Sequence, residues 1–200
     1  MIIIGLTGSI GMGKSAVAAM FIRAGIPVFD ADRAVHQLQG PNGLLLAAIE
    51  ACFPGTTGPA GVDRQKLGAA VFGNADALWE LERIVHPAVA TLRRDFLRHN
   101  RSRPIVVLDI PLLFEKKGWK SVDEIVVVSA PAWKQRKRVL ARPGMNYAKF
   151  AKIRKLQLPD AQKRKRADFI INTGILPSAT NVVVRQVIAC LMRQTGRYSD

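Results

Sequence analysis

The chain has 200 residues, 48% of them hydrophobic, and a formal net charge of +15. This length suits one compact domain with small inserted parts, the apolar fraction excludes a disordered chain, and the charge calls for anionic partners. No apolar run approaches the roughly 18 residues of a membrane span, and the opening "MIIIGLTG" lacks the basic start of a secretion signal, so a cytoplasmic protein without a membrane partner is expected.

In chain order, residues 2–6 are β-branched and read as a short buried strand that runs into glycines. Residues 14–24 read as a helix stopped by Gly25, 26–30 ("IPVFD") as a second strand, and 31–39 as a helix. Residues 44–100 read as mostly helical and strandless, with a Gly- and Pro-rich loop at 54–62, an N-cap at Asp63, and separate helices at 75–85 and 87–99. His86 then stands before Pro87 at the junction of those two helices. Apolar strands follow at 104–109, 124–129 and 167–172, alternating with helices at 131–142 and 147–157, and a final helix capped by Ser178 runs to about 194. Strands alternating with helices predict an α/β fold: a parallel five-stranded sheet flanked by helices, carrying a helical insertion. Cys52 and Cys190 lie far apart, without metal-type spacing, and read as small core residues.

The octet "GSIGMGKS" (8–15) fits G-x-x-x-x-G-K-[ST] and lies between a predicted strand and a predicted helix, as a phosphate-binding P-loop requires. Its glycines let successive N–H groups turn toward an anion, and the helix start adds its positive end. The candidate nucleotide site is therefore Gly8, Gly11, Met12, Gly13, Lys14, Ser15 and Ala16, with Lys14 as the cation for the outer phosphates and Ser15 as a Mg²⁺ ligand. Met12 is expected to point outward, because backbone N–H groups do the binding. Such a loop specifies a nucleoside triphosphate, but not the acceptor.

The acceptor side needs a base, a metal-holding acid and further cations. "DAD" (30–32) follows the second strand, on the side of an open parallel sheet where ligands bind. Asp30 reads first as a helix N-cap, which makes Asp32 the candidate base. Asp109 ends "IVVL" and is placed like a Walker-B acid, reaching the Mg²⁺ of Ser15 directly or through water. Residues 134–166 hold thirteen Lys or Arg against one acid, Asp160. Within them Gln135, Arg138 and Arg142, at i, i+3 and i+7, share one predicted helical face, and the arginines suit phosphate clamping.

These motifs together resemble the dephospho-CoA kinase family nearly end to end. "IGLTGSIGMGKS" is similar to the family's "GLTGGIGSGKS", differing at Ser9 and Met12. "DAD", "DRQKLGAAVF" (63–72), "HP" (86–87), "DIPLLFE" (109–115) and "LQLPDAQKRKRADFIINTG" (156–174) match in kind and order. The resemblance implies transfer of the ATP γ-phosphate to the ribose 3′-hydroxyl of dephospho-CoA, with Lys14 on phosphate, Asp32 as general base and Arg142 as a phosphate-contacting arginine at the edge of a lid. It implies a P-loop core from 1–31, 101–142 and 167–200, a helical CoA-substrate domain at 32–100 and a basic helical lid at 143–166. A monomer is expected, with an oligomer left open.

Two alternatives stand beside this reading. One is another small P-loop kinase acting on a nucleoside or nucleoside monophosphate. The other, a nucleic-acid binder, is disfavoured because the basic segment offers Trp133, Tyr147 and Phe150 without a stacking motif, so no nucleic acid is expected as a partner.

Overall fold

A computed structural model describes residues 1–196. The described chain divides into two compact units, one of residues 1–29 and 100–196 and one of residues 30–99.

In the first unit, β1 (Ile2–Thr7), β5 (Ile105–Asp109), β6 (Glu124–Ser129) and β7 (Phe169–Asn172) join β2 (Val28–Asp30) in a sheet of order β2-β5-β1-β6-β7. β1 pairs in parallel with both β5 and β6, and β6 with β7. The registers Leu6 to Asp109 and Ser129 to Asn172 bring the carboxyl ends of these strands to one edge, where loops can meet a ligand. The strands are near-continuously apolar because helices cover both faces. α1 (Lys14–Arg23) contributes Val17 and Phe21, one turn apart, to the core. α9 (Pro177–Thr195) contributes Val184, Val187 and Leu191, a 3.6-residue stripe packed with Ile4, Val126 and Ile171. α6 (Ala132–Leu140), α7 (Tyr147–Lys155) and α8 (Asp160–Arg164) carry the basic segment.

The second unit holds α2 (Ala31–Gln39), α3 (Leu46–Cys52), α4 (Arg64–Val71) and α5 (Ala75–His99). Leu38, Leu45, Ile49, Phe53 and Leu67 form its core, closed by Ile84, Val85, Ala88 and Leu92 of α5. Asp63 caps α4 as its position implies, accepting the Gln65 and Lys66 N–H groups.

Several local expectations change. The helices expected at 75–85 and 87–99 are one 25-residue helix running through Pro87. Proline removes one hydrogen bond there, but Ile84 and Val85 before it and Ala88 and Leu92 after it face the same core, and continuous packing outweighs one lost bond. His86 therefore lies within a helix and not at a junction. The stretch expected to hold no strand contains a short antiparallel hairpin, β3 (Thr57–Gly58) with β4 (Gly61–Val62). Glu50 secures it by accepting the Thr57 hydroxyl at 2.6 Å and the Gly55 N–H at 2.6 Å. Ser178 is not a cap: α9 begins with Pro177, whose fixed φ suits a first turn. Cys52, at the last turn of α3, is exposed and Cys190 is half-buried, so neither is a core cysteine.

Candidate active site

The loop between β1 and α1 turns on two left-handed glycines, Gly11 (φ 77°) and Gly13 (φ 89°). A Cβ at Gly11 would stand 2.4 Å from Val139 Cγ2, and one at Gly13 2.9 Å from Thr173 Oγ1, so both conformation and space require glycine. The outward-facing carbonyls are tied back one by one. Gln135 Nε2 donates to Ile10 O at 2.8 Å, Arg138 Nη1 reaches Gly11 O at 3.5 Å, and Thr173 Oγ1 donates to Met12 O at 2.6 Å. Arg138 also holds Thr173 itself, at Oγ1 (2.9 Å) and at the carbonyl (2.7 Å). Anchoring three successive carbonyls on the outside fixes the peptide planes of the loop and frees its concave side for N–H groups. No side chain caps the α1 N-terminus and no acid lies in its first turn, so its positive end is left for an anion.

Lys14 forms an ion pair with Asp109 Oδ1, its side chain 16% exposed and that of Asp109 3%. The pairing follows from the sheet: Asp109 ends β5 opposite Leu6 of β1, one strand from the loop. Ser15 and Ala16 are exposed in the first turn of α1. Ser15 and Asp109 offer hard oxygen donors of the kind Mg²⁺ takes while keeping waters and phosphate oxygens as its other ligands. Among the described residues no group of three or more His, Cys, Asp or Glu is arranged to hold a metal by itself.

Two expectations at the loop are corrected. Met12 does not point outward: it is 3% exposed, and its Sδ accepts the Ala130 N–H at 3.1 Å. An unbranched thioether can fill that gap and serve as a weak acceptor, so this large residue fits inside the loop. The helical face shared by Gln135 and Arg138 does not reach Arg142, because α6 ends at Leu140. Arg142 stands exposed in the following turn, its N–H on Val139 O at 3.1 Å.

The structure thus gathers Gly8 through Ala16, Asp109 and Arg138 in the first unit. Asp30 closes β2 and caps α2 through the Arg33 N–H at 2.9 Å, while Asp32 is exposed in the first turn of α2, in the second unit. Thr173 and Gln157 were not singled out from the sequence, although both serve the loop. Gln157 Oε1 accepts the Ile10 N–H at 2.9 Å. The only available signal was a polar residue at the carboxyl end of an apolar strand, "FIINT", for Thr173.

Against known proteins, the family model described as dephospho-CoA kinase matches residues 2–177. The chain belongs to the dephospho-CoA kinase family. A relative named dephospho-CoA kinase from Novosphingobium aromaticivorans is 60% identical over 195 residues, covering 98% of this chain and 97% of that one. One from Zymomonas mobilis with the same name is 51% identical over 197 residues, covering 98% and 100%. A crystal structure from Thermus thermophilus superposes with a TM-score of 0.82 at 33% identity, covering 96% of this chain and 97% of that one. The family's P-loop corresponds here to a loop whose carbonyls are individually anchored and whose lysine is already paired with the strand-end acid.

Proposed function

We propose that this chain transfers the γ-phosphate of ATP to the 3′-hydroxyl of the ribose of dephospho-CoA, giving coenzyme A and ADP. The observation that carries the donor half is the anchored loop with Lys14 at its mouth. The acceptor half rests on family membership and on the matching order of the motifs.

In this reading the N–H groups of Gly11, Gly13, Lys14 and Ser15 and the α1 N-terminus hold the β- and γ-phosphates, while those of Met12 and Ala16 donate within the loop to Ser9 O and Gly13 O. Phosphate oxygens compete with Asp109 for Lys14; Ser15 and Asp109 would hold Mg²⁺, which would supply charge neutralisation on the phosphates. Asp32 takes the proton of the 3′-hydroxyl as its oxygen bonds to the γ-phosphorus, and the bond from that phosphorus to the β–γ bridging oxygen breaks, releasing ADP. The cap of α2 is made by Asp30, so Asp32 is not committed to that role. Lys14 and Arg142 stabilise charge on the transferring group, each by on the order of 10²–10³ in rate. Arg138 supports the same loop from behind and adds its charge to the ATP side.

The second unit is the CoA-substrate domain in this reading, and residues 143–166 are a lid whose lysines and arginines screen two polyanionic substrates and exclude water as it closes. The protein works in the cytoplasm as a monomer, and among the described residues no helix is long and apolar enough to cross a membrane.

A coupled assay of ADP release with dephospho-CoA as acceptor tests the whole reading, with the product mapped to the 3′ position. Faster turnover with a nucleoside monophosphate would replace it by the alternative kinase. For the base, Asp32→Asn is expected to lower kcat by on the order of 10²–10⁴ while ATP binding persists. Turnover near that of the wild type would remove Asp32 from the role.

A further inference from the structure

The loop "DIPLLFE" and helix α8 are joined by an ion pair that the phosphate chemistry leaves unused. Lys163 is fully buried, and its Nζ lies 2.9 Å from Glu115 Oε1. The same oxygen accepts the Leu158 N–H at 2.7 Å. Glu115 Oε2 is buried without a hydrogen-bond partner, and the Lys163 ammonium has none beyond its ion pair. Well-packed apolar residues often replace such a pair at no loss of stability, so stability alone does not account for charges buried here. Burial pushes the Glu115 carboxyl up, but the hydrogen bonds and charge of Lys163 and the Leu158 N–H outweigh it and hold it below its usual range.

What the pair fixes is residues 156–160, and these residues reach the carboxyl ends of three strands. Leu158 is held at Glu115, beyond β5. Asp160 Oδ2 accepts the Ser129 hydroxyl at 2.8 Å, at the end of β6. Gln157, next to Leu158, accepts the N–H of Ile10 in the phosphate loop beyond β1, while Gln135 holds the Ile10 carbonyl from the other end. Ile10 is therefore held at both its N–H and its carbonyl, immediately before Gly11, the first of the two left-handed glycines that aim the loop.

We propose that Glu115 and Lys163 are positioning residues for ATP: by fixing Leu158 they hold Gln157 against the Ile10 amide and so set the phosphate loop. This rests on the reading of that loop as the ATP site. Neither residue touches the phosphates, and the effect travels through Gln157.

The test uses the full chain, with steady-state kinetics for both substrates and binding of a fluorescent ATP analogue. Lys163→Met, Glu115→Gln and Gln157→Leu are each expected to raise the ATP KM and the analogue Kd by roughly five- to tenfold, the loss of about one hydrogen-bond's worth of order. The KM for dephospho-CoA is expected to stay within about twofold. Gln157→Leu combined with Lys163→Met is expected to do no more than either alone, because both act on one contact. Partial unfolding would instead lower kcat with the active fraction and leave both KM values alone. Unchanged ATP KM and Kd, additive losses in the double variant, or an equal rise in the dephospho-CoA KM would each overturn the proposal. If Lys163→Met does not fold, the doubly neutral Glu115→Gln/Lys163→Met, which leaves no unpaired buried charge, takes its place with the same expected result. Failure of the wild-type protein to bind the analogue would instead remove the ATP-site reading beneath it.

Discussion

Thr173 shows how much one hydroxyl can organise. It donates to Met12 O and accepts from Arg138, so it joins the loop's carbonyl side to a cation on α6. Thr173→Val keeps the shape and strands both partners, at a cost of about 1–3 kcal/mol for a buried group left unpaired. The expected result is an ATP KM raised by roughly tenfold, with Thr173→Ser close to the wild type in the same kinetic assay. Lys14→Ala removes the cation at the loop mouth and leaves the Asp109 carboxylate buried without that partner. Phosphotransfer is expected to fall by at least about 10³, measured against a circular dichroism spectrum that shows the fold retained. Glu124 behaves in the opposite sense to Glu115. Burial, then the charges of Asp168 and Asp123, hold its carboxyl above the usual range. A raised carboxylate weakens the fold where it must be ionised, and that weakening is relieved as pH falls through its folded value toward the unfolded one. Glu124→Gln should therefore raise Tm at neutral pH, with the difference vanishing below about pH 4. For Glu115, held low, stability is present above the unfolded value of about 4.3 and is lost as pH falls below it.

At the scale of elements, α5 is the clearest case of packing overruling local propensity. A proline within a helix costs about 3 kcal/mol by losing a hydrogen bond and crowding the preceding turn, yet α5 continues because its apolar stripe spans Pro87 on both sides. The same stripe makes a prediction. Pro87→Ala should stabilise the protein by about 1–2 kcal/mol, since the regained helix bond exceeds the roughly 1 kcal/mol of unfolded-state entropy that proline had removed. Urea unfolding at unchanged m-value measures it, and a loss of stability would mean that the proline is accommodated without strain. The phosphate loop is the converse case, with sequence and packing in agreement. Gly11 and Gly13 are glycines for backbone reasons visible in the motif, and their surroundings, Val139 and Thr173, leave no room for a Cβ.

At the scale of the whole molecule, a net charge of +15 concentrates in one stretch, with thirteen cations between residues 134 and 166. Such a field raises the local concentration of polyanionic substrates and is screened within about 10 Å at 0.1 M salt. Both KM values are expected to rise several-fold between 50 and 500 mM KCl with kcat changing less, as initial rates at each salt concentration would show. A salt-independent KM would mean that the cations act only through direct contacts.

Much of the frame was legible in the residues alone, for a physical reason. Strand character, glycine turns and the caps at Asp30 and Asp63 depend on neighbours within a few positions, so β-branched runs and the GxxxxGK[ST] spacing were enough to place five strands and the loop. The partners that finish the site lie far apart in the chain: Asp109 is 95 residues from Lys14, Gln157 is 147 from Ile10, and Thr173 is 161 from Met12. Only the strand order β2-β5-β1-β6-β7 and its parallel register bring those chain segments to one edge. The sequence by itself determined that this protein has a strand–loop–helix built for phosphate and a helical insertion in the chain. Tertiary structure decided which side chains shape that loop, why Met12 turns inward, and why Lys163 is buried, because each of these depends on a contact whose two halves carry no mark of one another in the chain.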